Sequence, residues 1–186
     1  LNLKCNKIVI NTHYLHDQIN NFIKLNYSDK NIELIFEPSI LNTGGGIKNA
    51  LRILGPKNFL VSNSDILWEK KNKDDVANFI KKYEKTKTCQ LLLVENHNFK
   101  GLKKIKGDFK LENQLIKRWS NNDPLLYYSG LQIINPSIFS KIKENFFSIN
   151  KVWDSLILSK KLKGNIMHTS LSHVGDIKTF NDIKNN

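Results

Sequence analysis

Apolar residues recur along the chain in two rhythms. Lys7-Ile8-Val9-Ile10-Asn11, Ile32 to Phe36, Asn58 to Ser62 and Gln90 to Val94 are short, nearly continuous apolar runs, the pattern of strands covered on both faces. Between them, Tyr14 to Leu25 carries Leu15, Ile19, Phe22 and Ile23 at helical spacing. Ile47 to Leu54 is amphipathic until Gly55-Pro56 stops it, and Asp74 to Tyr83 turns Val76, Phe79 and Ile80 to one side. Strand alternating with helix predicts a mainly parallel sheet with helices on both faces and right-handed crossovers.

After Val94 the rhythm changes. Phe109 to Leu111, Leu115 to Trp119 and Tyr127 to Ile134 read as strands joined by polar turns. Helices are expected over Pro136 to Ile142 and Val152 to Leu162, a late strand over Ile166 to Leu171, and a closing helix over Ile177 to Ile183. No repeat, linker or low-complexity tract interrupts the pattern. The simplest account of residues 1–186 is one α/β domain whose sheet becomes mixed through an antiparallel extension.

Composition narrows the class. The chain has 186 residues, of which 40% are hydrophobic, enough for a real core. No apolar run is long enough for a bilayer and no signal-peptide pattern opens the chain, so no membrane partner is expected. The net charge of +12 comes from 29 Lys+Arg against 17 Asp+Glu. Only Arg52 and Arg118 are arginines, and lysine is spread along a chain also rich in Asn and Ile. That bias fits a solvated basic surface, and no basic stripe interleaved with aromatics offers a platform for bases, so no nucleic-acid partner is expected. Cys5 and Cys89 stand far apart and form no metal-type pair, which reads as reduced, buried thiols in a cytoplasmic protein.

The candidate chemistry begins at Leu41-Asn42-Thr43-Gly44-Gly45-Gly46, between a strand and a helix. Thr43 is placed to cap that helix, and glycine N–H groups can approach a ligand closely where the helix end favours negative charge. A flexible turn with a close helix–strand contact is the alternative reading of three glycines. The segment is neither a Gly-Lys-Ser/Thr phosphate loop nor a spaced dinucleotide fingerprint. Asn63-Ser64-Asp65 ends the strand that starts near Phe59, in the next unit of the sheet and at its ligand-binding edge. There Asp65 is a ligand for Mg²⁺ or a turn cap. His173-Val174-Gly175-Asp176 precedes the last helix, where Asp176 is an N-cap or a second acidic ligand. His13 and His16 lack a third ligand in sequence, no Gly-x-Ser-x-Gly elbow occurs, and Trp68, Trp119 and Trp153 read as packing residues.

Taken in order, these stretches resemble the sugar-1-phosphate nucleotidyltransferases, and most of all the N-acetylmuramate 1-phosphate uridylyltransferases and the mannose-1-phosphate guanylyltransferase-like group. The matching residues are Ile8-Val9-Ile10-Asn11 with His13-Tyr14-Leu15, Thr43-Gly44-Gly45-Gly46-Ile47, Asn63-Ser64-Asp65, Gly107-Asp108-Phe109, Tyr128-Ser129-Gly130 with Asn135-Pro136, and His173-Val174-Gly175. The resemblance implies a Rossmann-like sheet of the nucleotide-diphospho-sugar transferase type. It assigns nucleotide binding to Thr43, Gly44, Gly45, Gly46 and Asn63, and the sugar side to Gly107, Asp108, Ser129 and Gly130. Asp65 becomes the catalytic Mg²⁺ ligand, and the second ligand falls to His173, where many members have aspartate, to Asp176 or to water. The implied reaction joins a nucleoside triphosphate to a sugar 1-phosphate, releases pyrophosphate and serves nucleotide-sugar and cell-wall synthesis. The family's opening Gly-rich, Arg-containing loop has no counterpart after Leu1. An N-terminally incomplete form is therefore expected, with an open apolar groove and weak or no catalysis, and a non-catalytic nucleotide-binding relative is the alternative.

Overall fold

The computed structural model describes residues 3–83 and 88–184, and its chain contacts divide into two compact units. Leu1, on which the expectation of an incomplete start rests, lies outside the described residues.

One unit comprises Asn2–Lys57 and Pro136–Asp154. Its strands β1 (Ile8–Thr12) and β2 (Ile32–Phe36) pair in parallel from Ile8↔Ile32 to Thr12↔Phe36, and helix α1 (His16–Asn26) connects them. Helix α2 (Asn42–Leu54) follows, closed at its C-terminal end by Gly55, whose N–H donates to the Leu51 carbonyl. The core of this unit is Ile35, Ile47, Ala50, Phe139, Phe147 and the buried Val152 and Trp153. The expected helix over Pro136 to Ile142 is only a short 3₁₀ turn, Pro136–Phe139.

The triple glycine is explained here. Gly44, Gly45 and Gly46 are buried inside the first turns of α2. A Cβ on Gly44 would lie 2.5 Å from the Phe147 ring, and one on Gly45 would lie 2.1 Å from the Asn145 carbonyl oxygen. The Gly45 N–H donates to the Phe147 carbonyl (3.1 Å), and the Phe147 N–H donates to the Leu41 carbonyl (3.2 Å). Lys48 adds Nζ contacts to the Lys143 and Glu144 carbonyls. The close approach that needs glycine is thus made by the protein's own 143–147 segment. The expected Thr43 cap is also corrected. The helix starts at Asn42, no side chain caps it, and the Asn42 Oδ1 accepts the Thr43 N–H.

The second unit comprises Asn58–Asn135 and Ser155–Asn186. Its six-stranded sheet contains β3 (Phe59–Ser62), β5 (Cys89–Glu95), β7 (Phe109–Glu112), β8 (Leu115–Arg118), β9 (Leu126–Ile134) and β10 (Leu162–Met167), in the order β3-β9-β5-β10-β8-β7. β5 is flanked by β10 in parallel and by β9 antiparallel. Cys89 and Leu91 to Val94 are completely or almost completely buried, as their unbroken apolar run requires. Helix α3 (Lys73–Lys82) contributes Val76 and Phe79 to this core. The sequence pattern makes β2 and β3 consecutive strands of one sheet, but they belong to two different sheets, and the neighbour of β3 is the late strand β9. The fold class is α/β with a mixed sheet, as the sequence predicts, but the six-stranded sheet is mainly antiparallel rather than mainly parallel, with β5–β10 its parallel pair among the described residues.

Three further strands were invisible to periodicity because they are two or three residues long. β4 (Ile66–Leu67), β6 (Phe99–Lys100) and β11 (Leu171–His173) form a small sheet in the order β4-β11-β6. The expected late strand over Ile166 to Leu171 is therefore two strands, β10 and β11. Helix α4 (Ile149–Leu158) ends four residues short of Leu162, because Lys160 takes a left-handed conformation (φ 54°) and the Lys161 N–H returns to the Leu156 carbonyl. Helix α5 (Ile177–Lys184) closes the chain. Cys89 is buried as expected, whereas Cys5 is exposed. No helix among the described residues is long and apolar enough to cross a membrane.

Gly45→Ala tests the packing explanation. Alanine favours a helix over glycine by about 1 kcal/mol, but forcing a carbon against a fixed carbonyl costs about 1–3 kcal/mol or more. Urea unfolding should show net destabilisation. Gly46→Ala, whose added carbon meets side-chain atoms rather than backbone, Glu37 Oε1 at 3.2 Å and Asn11 Nδ2 at 3.6 Å, should lose less.

Candidate active site

The small sheet positions the residues of greatest chemical interest. Antiparallel pairing of β4 with β11 sets His173 opposite Ile66 and Ser172 opposite Leu67. One residue before this register, the Asp65 carbonyl accepts the Val174 N–H (2.7 Å). The two side chains then meet, with His173 Nε2 3.2 Å from Asp65 Oδ2. The imidazole packs edge-on to the buried Phe99 ring at 6.3 Å. Gly175 leaves the ring its space, since a Cβ there would lie 2.6 Å from His173 Cε1. The pair sits in the wall of a cavity of about 390 Å³, which Asn63, Lys103, Lys104, Asp108, Tyr128 and Gly130 also line.

Gly130 makes this wall possible. It interrupts β9 at φ 86°, where side chains are strained, and a Cβ would lie 2.6 Å from Ile66 Cγ1. Its carbonyl accepts the Asn63 N–H (2.8 Å), which continues the end of β3 toward Asp65. The β5–β9 register shifts at the same place, between Leu91 and Leu93. Tyr128 and Gly130 line the cavity, whereas Ser129 does not. Ser129 is completely buried, and its hydroxyl accepts the Leu131 N–H (3.3 Å). Burial pushes the Tyr128 phenol well above its usual pKa, with smaller contributions from Cys89 and Asp65, so the hydroxyl stays protonated.

The loop after β6 supplies the cavity's positive charge. Lys104 Nζ lies 2.9 Å from Asp108 Oδ1, and the Tyr127 hydroxyl donates to the Lys104 carbonyl (3.1 Å). Asp108 Oδ2 accepts the Tyr128 N–H (3.1 Å), so this carboxylate ties the loop to β9. Gly107 does not line the cavity, and a Cβ there would lie 2.5 Å from the Trp119 ring. Lys103 reaches Asp176 at 3.2 Å. Sequence reasoning missed Lys103 and Lys104, because two lysines in a Lys-rich chain carry no distinguishing signal. It also missed Tyr128 as a wall residue.

Asp176 is the N-cap of α5, with Oδ1 accepting the Thr179 N–H (2.7 Å), and it is absent from the cavity lining. His13 and His16 lie in the other unit on structural hydrogen bonds, His13 to the Glu37 carbonyl and His16 to the Thr12 hydroxyl.

A divalent cation fits Asp65 and His173. Among the described residues the buried Asp65 Oδ1 atom has no hydrogen-bond partner, an arrangement that costs free energy unless something takes its lone pairs. Among the described residues no group of three or more His, Cys, Asp or Glu could hold a metal ion. The remaining ligands would be water and substrate oxygens, as is usual for Mg²⁺ in phosphate-handling sites.

The cap makes a pH prediction. Hydrogen bonds from Thr179, then the Lys103 charge, hold the Asp176 pKa down to about 2 against an ordinary value of 3.8. A depressed folded-state pKa contributes stability that is present above the unfolded value and lost as pH falls through the folded one. Asp176→Ala should therefore lower the melting temperature near neutral pH, and the deficit should shrink between the ordinary value and about pH 2.

No family model matches the chain. N-acetylmuramate alpha-1-phosphate uridylyltransferase of Caulobacter vibrioides is 26% identical over 182 residues, covering 90% of this chain and 72% of that protein. The structure of HddC from Yersinia pseudotuberculosis superposes with a TM-score of 0.69 at 18% identity, covering 96% of this chain and 77% of HddC. The inositol-1-phosphate CTP transferase of T. maritima gives 0.73 at 9% identity, covering 94% of this chain and 72% of that one. At such identities the two structures establish the fold, the nucleotidyltransferase α/β fold expected from the sequence. The curated relative and the ordered motifs add a similarity in sequence to the sugar-1-phosphate nucleotidyltransferases.

Proposed function

We propose that the chain transfers a nucleotidyl group from a nucleoside triphosphate to a sugar 1-phosphate, and that the Asp65–His173 cavity is where the reacting phosphates meet. The observation that carries this is the half-satisfied Asp65 carboxylate, with Oδ1 buried and unpartnered, in a wall that also holds two lysines. A phosphate oxygen of the sugar 1-phosphate attacks the α-phosphorus; one P–O bond forms, the bond to the β-phosphate oxygen breaks, and pyrophosphate leaves. The reaction needs no side-chain nucleophile, and positioning with charge compensation supplies the catalysis. A bound divalent cation would supply compensation for charge on the phosphate oxygens and a fixed template for them.

The chain's own residues then have distinct tasks. Asp65 and His173 hold the cation. Lys103 and Lys104 sit in exposed ion pairs, which contribute little and can be redirected to an incoming phosphate at small cost. Asp108, fixed by the Tyr128 N–H, keeps the loop against β9 when Lys104 turns away. Protonated Tyr128 and the close Gly130 backbone shape the wall. For the nucleotide half, the resemblance assigns the base to Thr43–Gly46 and Asn63. Of the first group Thr43 is exposed, while Gly44 and Gly45 are covered by residues 145–147. A neighbouring structure supports a nucleotide ligand at family level, since HddC has also been solved with GMP-PN.

Pyrophosphate release over a panel of nucleoside triphosphates and sugar 1-phosphates tests the reading. Asp65→Asn should reduce turnover by roughly 100-fold or more. Lys104→Ala should raise KM for the sugar phosphate by roughly tenfold, the value of one charge-assisted contact, and leave KM for the triphosphate nearly unchanged. Release that survives in Asp65→Asn would remove Asp65 from the mechanism. A folded protein that releases pyrophosphate with no pair would refute the reaction.

A further inference from the structure

Charge matching inside the cavity sets Asp65 apart from its other charged groups. Its wall contains two carboxylates, Asp65 and Asp108, and two ammonium groups, Lys103 and Lys104. Lys104 is matched by Asp108, and Lys103 by Asp176 outside the wall. Among the described residues the hydrogen-bonding partner of Asp65 is an imidazole, which compensates a carboxylate fully only when protonated. Asp65 therefore stands apart from the two lysine pairs, beside a nitrogen donor whose ring is held by Phe99 and by the space at Gly175. One carboxylate oxygen and one imidazole nitrogen, 3.2 Å apart, form a mixed O,N ligand pair.

Mg²⁺ is a hard ion that prefers oxygen and gains little from imidazole, whereas first-row transition ions gain in the order Mn²⁺, Fe²⁺, Co²⁺. Resting on the site assignment above, we infer that His173 makes this a transition-metal site, and that Mn²⁺ rather than Mg²⁺ is its preferred ion. The partners of the neighbouring acid support the inference. Asp176, the nearest acidic residue in sequence that could have restored an all-oxygen pair, is committed to the α5 cap and to Lys103. The 3.2 Å hydrogen bond is the metal-free form of the same pair, with the ion taking the place of the shared proton.

The test is a Mn²⁺ titration of the full chain followed by electron paramagnetic resonance, with Mg²⁺ as competitor and no substrate present. Mn²⁺ should bind at least about tenfold more tightly than Mg²⁺. Pulsed measurements on the bound ion should show coupling to ¹⁴N from His173. His173→Asp should lose that coupling and bring the two affinities to within about threefold. Asp65→Asn should lose the bound ion altogether. Circular dichroism identifies a variant that has merely unfolded, and His173→Asn then replaces His173→Asp for the ¹⁴N readout. Equal Mn²⁺ and Mg²⁺ affinity in the unsubstituted chain, bound Mn²⁺ without nitrogen coupling, or no bound Mn²⁺ would each overturn the inference. These outcomes are separable from the catalytic reading. Nitrogen-coupled Mn²⁺ without pyrophosphate release would leave the metal site standing and remove the reaction. Release supported equally by Mg²⁺, with no nitrogen coupling, would do the reverse.

Discussion

Strand β9 hydrogen-bonds to β3 along one edge and to β5 along the other, pairs with β7 at Leu126, and all three partners lie earlier in the chain. Most of its residues are buried, so its register cannot slip without moving side chains between the faces of the sheet. That constraint fixes the end of β3. A glycine with positive φ then breaks β9 at residue 130, and the Asn63 N–H follows its carbonyl. Asp65, two residues on, is delivered to the edge of the small sheet where β11 brings His173. A side chain on Gly130 would push against Ile66, the residue opposite His173. The geometry of the candidate site is thus a consequence of one positive-φ glycine in a central strand.

The long elements were legible because their patterns are long. The unbroken Gln90 to Val94 run, the Val76/Phe79 face of α3 and the late strand through Ile133 and Ile134 all fall where periodicity places them. The strands that build the site are short. A two-residue strand has no period, and β4 and β6 acquire their extended form from hydrogen bonds to β11, more than 70 residues away. The order of β3 and β9 was equally hidden, since adjacency in a mixed sheet depends on which strand covers which edge.

The glycine segment shows the same limit in another form. A run of glycines states that something comes close and leaves open what it is. Here Asn145 and Phe147 come close, from about a hundred residues downstream, and no local signal in Thr43–Gly46 distinguishes them from a ligand. Asp65 and His173 were legible as candidates because each falls by a strand end, where open α/β sheets bind ligands. Their meeting was visible only through the ordered resemblance to the nucleotidyltransferases. Lys103 and Lys104 were not legible at all, being chemically identical to the solvated lysines around them.

Anomalous diffraction from crystals soaked in manganese chloride would address the central assignment most directly. A peak is expected between Asp65 and His173, within about 2.0–2.3 Å of a carboxylate oxygen and of the imidazole Nε2. Manganese bound elsewhere in the chain, with Asp65 and His173 still joined by their hydrogen bond, would contradict it.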